Sequence, residues 1–468
     1  MHTLESLLAT IAPTGASRDI LNPATGELVA KVAEHNIDDL NKAVAAAKAA
    51  QKSWAALGHE KRSELMMKAA DAIAENAEAL AQLLTREQGK PLNGPNARFE
   101  IGGAEAWLRV AASTPLENEV IKDDESGRSE LTYKPIGVVA AIGPWNWPAM
   151  ITIWQVAPAL RMGNTVVVKP SEFTPLIVSA LVAIMNTVLP AGVLSVVSGG
   201  REVGAALTTD PAIGKVMFTG STATGKAIIK SSADTVKRLT LELGGNDAGI
   251  VLPDVDPAAI AEGLFWGAFL NTGQTCAALK RLYVHESIAD EVTKALVAVA
   301  AAMPMGEGTD ENNVLGPLQN KKQYDIVADL VEKAKAGGGK VELGGNPDAS
   351  QKGYFYPTTI VSGLKNDNAL VQFEQFGPAL PIVTYSNIDE AIEMANAVDV
   401  GLGASVWSAD KTKAREVADR LEAGTVWINS HGGVHPMVPF GGAKQSGYGL
   451  EFGVEGLKAL GVPQVINS

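Results

Sequence analysis

"FTGSTATGKA", residues 218–227, sets two glycines and a lysine at the spacing G-x-x-x-x-G-K, from Gly220 to Lys226. That spacing is the phosphate loop of NTPases, which needs a Ser or Thr directly after the lysine to hold magnesium. Ala227 stands there instead, and a methyl group binds no metal, so the NTPase reading is set aside. A Gly-rich turn between a strand and a helix can also seat a pyrophosphate on the free N–H groups of the helix. The G-x-G-x-x-G fingerprint of dinucleotide folds is absent from the chain, and the turn alone leaves open a corner that binds nothing.

The surrounding rhythm assigns the turn to a sheet. Short apolar strands recur as "GVVAAIG" (137–143), "NTVVVKP" (164–170), "GVLSVVSG" (192–199), "KVMFTG" (215–220) and "RLTLELGG" (238–245), separated by helix-length segments such as 176–188. Near-continuous Val, Ile and Leu strands with helical crossovers predict an α/β fold with a parallel sheet covered on both faces. Such sheets bind ligands at the carboxyl ends of their strands. A second alternation opens at "DAGIVLPDVDPAAIAEGLFWGAFLNTGQTC" (247–276) and runs to about Pro439. Before the first strand, Ala-rich amphipathic patterns predict helices over 38–57 and 60–88, the second ended by Gly89 and Pro91. The stretch 116–135 reads as a hairpin turning at Ser126 and Gly127.

Composition narrows the function classes. A chain of 468 residues with 46% hydrophobic and 19% charged residues fits two or three globular domains. A net charge of −13 opposes broad affinity for nucleic acid or anionic membranes. One cysteine fits a reducing compartment, and no export signal is read at the N-terminus, so a cytoplasmic location is expected. The uncharged stretch 135–160 is long enough to span a bilayer. Pro144 and Pro148 bracket Trp145, Asn146 and Trp147 at its centre, however, and predict a buried strand, a turn and a buried helix.

Three residues stand out as chemistry. Cys276 follows an apolar helical run, and a helix expected to begin at the cysteine would favour its thiolate. Against this stands the ordinary fate of a lone buried cysteine, an inert small hydrophobe. Glu242 ends a strand on the face opposite Leu239, Leu241 and Leu243, beside two glycines that leave room for a substrate; it is either a general base or a paired surface carboxylate. Asn146 is an amide in the most apolar segment, and it either ties down its own turn or donates to a developing oxyanion. His431 and His435 lie in a non-helical stretch without other ligands at suitable spacing, and no metal site is expected.

In order and spacing, "PWNWP" (144–148), "KPSEFTP" (169–175), "FTGSTATG" (218–225), "LELGG" (241–245), "GQTC" (273–276), "FEQFGP" (373–378) and "PFGG" (439–442) resemble the NAD(P)-dependent aldehyde dehydrogenase superfamily, of the hydrolytic type. The resemblance spans the chain from "NPATGE" at 22–27 to 451. It implies Cys276 as nucleophile, Glu242 as general base, and Asn146 with the Cys276 N–H as oxyanion donors. Lys169 and Glu172 would hold the adenosine ribose, Gly220 and Ser221 the pyrophosphate, and Glu374 the nicotinamide ribose, with Phe376 near the nicotinamide and Trp145 as a further cofactor contact. NAD is then expected, NADP being disfavoured by the charge of Glu172. Asn246, Phe373 and Gln375 depart from common family residues, none of them at a position given chemistry.

The resemblance further implies a Rossmann-like cofactor domain (1–117 and 136–242), a catalytic domain (243–445) and an oligomerisation element (118–135 and 446–468) of a homodimer or homotetramer. Trp147, Ile151, Trp154, Leu270, Thr275 and Phe440 would line the substrate tunnel. None is cationic, so a neutral apolar aldehyde is expected, with a quaternary-ammonium aldehyde held by the two tryptophans, or a semialdehyde, as the alternative. An acyl-transferring relative is disfavoured by the presence of Glu242, and a binding protein without activity by the intact Cys276, Glu242 and Asn146.

Overall fold

A computed structural model describes residues 1–468. The first sheet has six strands in the order Gly447–Tyr448, Arg238–Glu242, Ile213–Thr219, Val138–Ile142, Thr165–Lys169 and Leu194–Val196, all parallel except the first. Alternation along the central strand sends Val138, Ala140 and Ile142 into one apolar cluster and Val139 and Ala141 into another, so helices cover both faces. Strand order reverses between Val138–Ile142 and Ile213–Thr219, which opens a crevice at their carboxyl ends. Two turns flank that crevice: the Gly-rich turn before the Thr222–Ser232 helix, and the Trp-Asn-Trp turn before the Pro148–Arg161 helix.

The uncharged stretch at 135–160 resolves into the Val138–Ile142 strand and the Pro148–Arg161 helix. No helix is long and apolar enough to cross a membrane. Proline at the first turn of Pro148–Arg161 removes a donor that would have had no partner. The next two N–H groups, of Ala149 and Met150, donate to the buried Glu100 carboxylate at 2.8 and 3.2 Å.

The second sheet has seven strands in the order Lys340–Leu343, Thr359–Ser362, Ala379–Tyr385, Leu279–His285, Asp247–Val251, Gly403–Trp407 and Thr425–Ile428. A third, antiparallel sheet joins Gly461–Asn467 to the hairpin strands Gly127–Pro135 and Glu119–Asp124.

Three expectations need correction. The helix anticipated over 60–88 is two helices, Gly58–Glu75 and Ala77–Gln88. Between them Asn76 leaves helical geometry and its amide bonds Ala72 O and the His2 N–H instead. No helix begins at Cys276; the chain turns and enters the buried strand Leu279–His285, paired with Asp247–Val251. Helix-dipole activation of the thiol therefore falls away. Residues 446–468 do not form one outer element either: Gly447–Tyr448 pairs with Arg238–Glu242 in the first sheet, and only Gly461–Asn467 joins the hairpin.

The loop before Cys276 is held by a close approach of two backbones. Gly273 has φ +74°, and a Cβ there would lie 2.3 Å from Gly377 O. Both the dihedral and the space demand glycine. Gly273→Ala should lower stability by roughly 2 kcal/mol or more, overpacking and backbone strain acting together. Urea unfolding measures it, and a wild-type midpoint would show that the two loops are not pressed together.

Candidate active site

A groove of about 840 Å³ runs along the crevice and ends at Asn146 and Cys276. Of the predicted residues, Trp145, Asn146, Lys169, Glu172, Gly220, Ser221, Cys276, Glu374 and Phe376 all line it. Glu242 does not, although its neighbours Leu243 and Gly244 do.

At the turn that opened the sequence reading, Ser221 caps the Thr222–Ser232 helix by accepting from Thr224 N at 3.3 Å. No acidic residue occupies the first turn of that helix, so the positive end of its dipole faces the groove uncompensated. A Cβ on Gly220 would sit 2.6 Å from the Phe218 ring. Lys226 points elsewhere and donates to Gln445 Oε1 at 2.7 Å. Further along, the buried Lys169 donates to Pro170 O at 3.1 Å, and burial holds its ammonium below the usual lysine range while Glu172 pulls it back up. Glu374 accepts from Gly245 N at 3.3 Å and pairs with Lys280 at 3.2 Å. A Cβ on Gly244 would come within 2.7 Å of its other oxygen, so this glycine keeps the carboxylate free to face the groove. Phe376, at φ +48°, meets Trp145 edge to face at 5.3 Å. A helix start without acidic residues, a glycine cradle and carboxylates at both ends are a donor and acceptor set that fits a dinucleotide.

At the inner end the Trp-Asn-Trp turn and the Cys276 loop are joined by hydrogen bonds. Asn146 Nδ2 donates to Gln274 O at 3.0 Å, and Trp147 Nε1 to Thr275 Oγ1 at 3.0 Å. The Asn146 carbonyl accepts from Asn271 Nδ2 and from Lys90 Nζ, both at 2.9 Å. Asn271 and Thr272 adopt left-handed conformations, φ 52° and 58°, strain held in place by these contacts. Lys90 is sealed from solvent, pairs with Glu100 at 2.5 Å, and lies 3.5 Å from the Trp147 ring centroid.

Cys276 is half-buried, and burial pushes its thiol up to about 12, with the charge of Lys280 opposing and those of Glu242, Asp247 and Glu374 adding to the rise. Glu242 is buried at its strand end, and neither carboxyl oxygen has a protein partner. Burial, and then the charge of Glu451, raise its pKa well above the ordinary carboxylate value. Glu451, itself buried, is pushed up to about 7 by burial while Lys215 holds it down.

The predicted tunnel residues other than Thr275 divide between two apolar groups. Phe440 clusters with Ala277, Leu402 and Phe452 against Cys276, Trp107, Trp154 and Trp427. Trp147 and Ile151 cluster with Met150, flanked by Trp107, Trp154 and Leu270. Trp107 and Trp154, tilted at 5.6 Å, join the two groups. Trp147 is buried with Lys90 over its ring, which removes it as a seat for a quaternary ammonium. Trp107, Phe452, Lys280 and Glu451 escaped the sequence reading. Adjacent cations at 280 and 281 inside an apolar strand were the signal for Lys280, because buried charges require partners. Trp107 and Phe452 carried no signal at all.

A doubly wound sheet with a groove at its switch point defines a dinucleotide-binding protein class, and comparison with known proteins narrows it. The profile of the aldehyde dehydrogenase family matches residues 11–465. Aldehyde dehydrogenase LUC3 of Fusarium sp is 41% identical over 93% of this chain and 92% of its own length. Phenylacetaldehyde dehydrogenase of Pseudomonas fluorescens is 38% identical over 96% of this chain and 91% of its own. A solved NAD+ complex of an aldehyde dehydrogenase from Bacillus cereus superposes with a TM-score of 0.93 at 37% identity, covering 97% and 93% of the two chains. The chain belongs to the aldehyde dehydrogenase family, and is an oxidoreductase that oxidises aldehydes with NAD.

The raised carboxyls have a consequence for stability. A carboxyl whose folded pKa lies above its unfolded value carries no penalty below pH 4.5, and a growing one as pH rises through the folded value. For Glu451 that window runs from about 4.5 to about 7. Glu451→Gln should therefore gain stability relative to wild type between pH 5 and pH 8, by about 1 kcal/mol or more. Urea midpoints at the two pH values measure it; parallel wild-type and variant curves would refute it.

Proposed function

We propose that Cys276 is the nucleophile, Glu242 the general base, and Asn146 Nδ2 with the Cys276 N–H the oxyanion donors. The reading rests on one observation: the only cysteine of the chain lines the dinucleotide groove together with Asn146, whose amide bonds Gln274 O in the cysteine's own loop. Lys169 and Glu172, Gly220 and Ser221, and Glu374 with Trp145 and Phe376 hold NAD, which when bound supplies the hydride acceptor. Glu172 at the adenosine end repels a 2′-phosphate and favours NAD over NADP.

Because burial keeps the thiol protonated at neutral pH, attack is coupled to loss of its proton to solvent water, which leaves Glu242 free for the hydrolytic step. Sγ bonds the aldehyde carbon, and the oxygen gains the charge that the Asn146 amide and the Cys276 N–H stabilise; each such donor is worth roughly 2.7–4 kcal/mol. Once oxidised to the thioester, the acyl group is attacked by water, whose proton goes to Glu242, and the acid leaves as Sγ is released.

The substrate is a neutral apolar aldehyde, aromatic or aliphatic. Trp107, Trp154, Phe440 and Phe452 surround Cys276 with apolar surface. Of the buried cations nearby, Lys90 is paired with Glu100 and Lys280 with Glu374, so no anion clamp is left for a semialdehyde. A 38% identical relative named phenylacetaldehyde dehydrogenase supports an aromatic substrate. Domain limits follow the expected 1–117 with 136–242, and 243–445. The third sheet, with exposed Val120, Ile121, Val462, Val465 and Ile466, is the oligomerisation element of a homodimer or homotetramer. A single cysteine supports residence in the reducing cytoplasm.

Two measurements test this. Cys276→Ser should lose NADH formation while binding NAD, and Glu242→Gln should release about one equivalent of NADH per subunit and then slow; unchanged turnover in either removes that assignment. Among phenylacetaldehyde, hexanal, betaine aldehyde and succinic semialdehyde, kcat/KM should be highest for one of the first two, each buried methylene adding about 0.8 kcal/mol. A best value for succinic semialdehyde would reveal an anion site and overturn the substrate reading.

A further inference from the structure

Lys280 lies in the buried strand Leu279–His285, 2% exposed, one turn of chain after Cys276. Its ammonium donates to Thr275 O at 2.8 Å and Cys276 O at 2.5 Å, and pairs with Glu374 Oε1 at 3.2 Å. An ammonium has three N–H donors, and these three partners use all of them. The peptide joining Thr275 to Cys276 is planar and trans, so its C=O and N–H point in opposite directions. Holding the Thr275 carbonyl from beneath therefore aims the Cys276 N–H out of the opposite side of the loop. The same ammonium is the one cation acting on the Cys276 thiol.

We propose that Lys280 is a positioning residue that orients the Cys276 peptide and tunes its thiol through a shared contact with the groove carboxylate Glu374; this rests on the reading of Cys276 as nucleophile. The charges facing the thiol come from four elements: Glu242 from the first sheet, Asp247 from the strand beside Lys280, Glu374 from the loop that carries Phe376, and Lys280 itself. Behind them, Glu451 acts on Glu242, and the His431 ring stands 3.6 Å from Asp247, both of those side chains sealed from solvent. Lys280 is thus a single positive charge among three carboxylates. Without it, the Cys276 carbonyl loses this donor, the Thr275 carbonyl keeps only the Ala278 N–H at 3.2 Å, and the thiolate loses its counter-charge. Without Glu374, the thiolate loses a repulsion while the carbonyl contacts stay.

Because the chain has one cysteine, alkylation by iodoacetamide reports on Cys276 alone, and it needs no cofactor. The pH profile of the alkylation rate in cofactor-free protein should move up by roughly one unit or more in Lys280→Met, a tenfold slowing below the midpoint. It should stay near wild type in Lys280→Arg, and move down in Glu374→Gln. kcat should fall in Lys280→Met more than KM rises, since the oriented N–H acts on the developing charge. A wild-type alkylation profile in folded Lys280→Met overturns the proposal. If that variant fails to fold, the direction of the Glu374→Gln shift decides, and no shift or an upward one overturns it. Turnover in Cys276→Ser separates the two claims: activity lost there, with an unmoved Lys280→Met profile, sinks the role of Lys280 and leaves the nucleophile standing.

Discussion

An ammonium can be buried only if each of its donors meets an acceptor and its charge meets a counter-charge, and this chain meets that condition twice at the same place. Lys90 spans Glu100, the Asn146 carbonyl and the Trp147 ring. Lys280 spans the carbonyls of the Cys276 loop and Glu374. The first grips the turn leaving the first sheet, the second the loop entering the second sheet. The Asn146 amide then bridges turn to loop through Gln274 O. Two sheets with separate cores are in this way brought to a common edge with the backbone of that edge fixed. The proposed oxyanion site, a backbone N–H and a side-chain amide, depends on such fixing, because donors aimed before the charge develops need no reorganisation when it does.

The cofactor half of the fold was legible because its physics is local. Five short Val- and Ile-rich strands separated by helix-length segments leave a parallel sheet covered on both faces as the one way to bury every strand. The Gly-rich turn could then be placed at a carboxyl end from its neighbours alone. The misreadings arose where tertiary pairing overrides local preference. "CAALK" carries helix-forming residues, yet Leu279 faces Asp247 across a parallel ladder, and the strand wins because the buried sheet position satisfies both backbone and side chains. Asn76 breaks a helix whose periodicity runs on through it, since its amide finds partners at Ala72 O and at the N-terminal segment.

Individual site residues were legible in proportion to how unusual they are in their own segment. Asn146 in an uncharged stretch, Glu242 in a leucine strand and a solitary cysteine each pose a local problem of polarity that points to a role. Glu451 poses none: in "YGLEFG" it reads as a surface residue, and only its burial beneath the strand of Glu242 makes it a partner. The aromatic wall is illegible for another reason. Trp107, Trp154, Phe440 and Phe452 come from four separated segments, and each alone looks like ordinary core. Trp147 shows the converse, a residue beside the proposed oxyanion donor Asn146 whose ring is turned to Lys90.

The crowd of acids around one thiol carries a physical logic of its own. Glu242, Asp247 and Glu374 all raise the Cys276 thiol, and burial raises it further, against the single charge of Lys280. A thiol so placed is protonated at neutral pH, and the protonated form is neither nucleophile nor ready target for oxidants. The same burial keeps Glu242 without hydrogen-bond partners, so the proposed base is poised to take a proton rather than to hold a fixed salt bridge. A static thiolate would give readiness at the expense of damage between turnovers. Here reactivity depends instead on the balance among a few buried charges, which the folded chain sets at rest and which any ligand engaging Glu374 must alter. Lys280, touching both that carboxylate and the cysteine's own backbone, is where such an alteration reaches the proposed nucleophile.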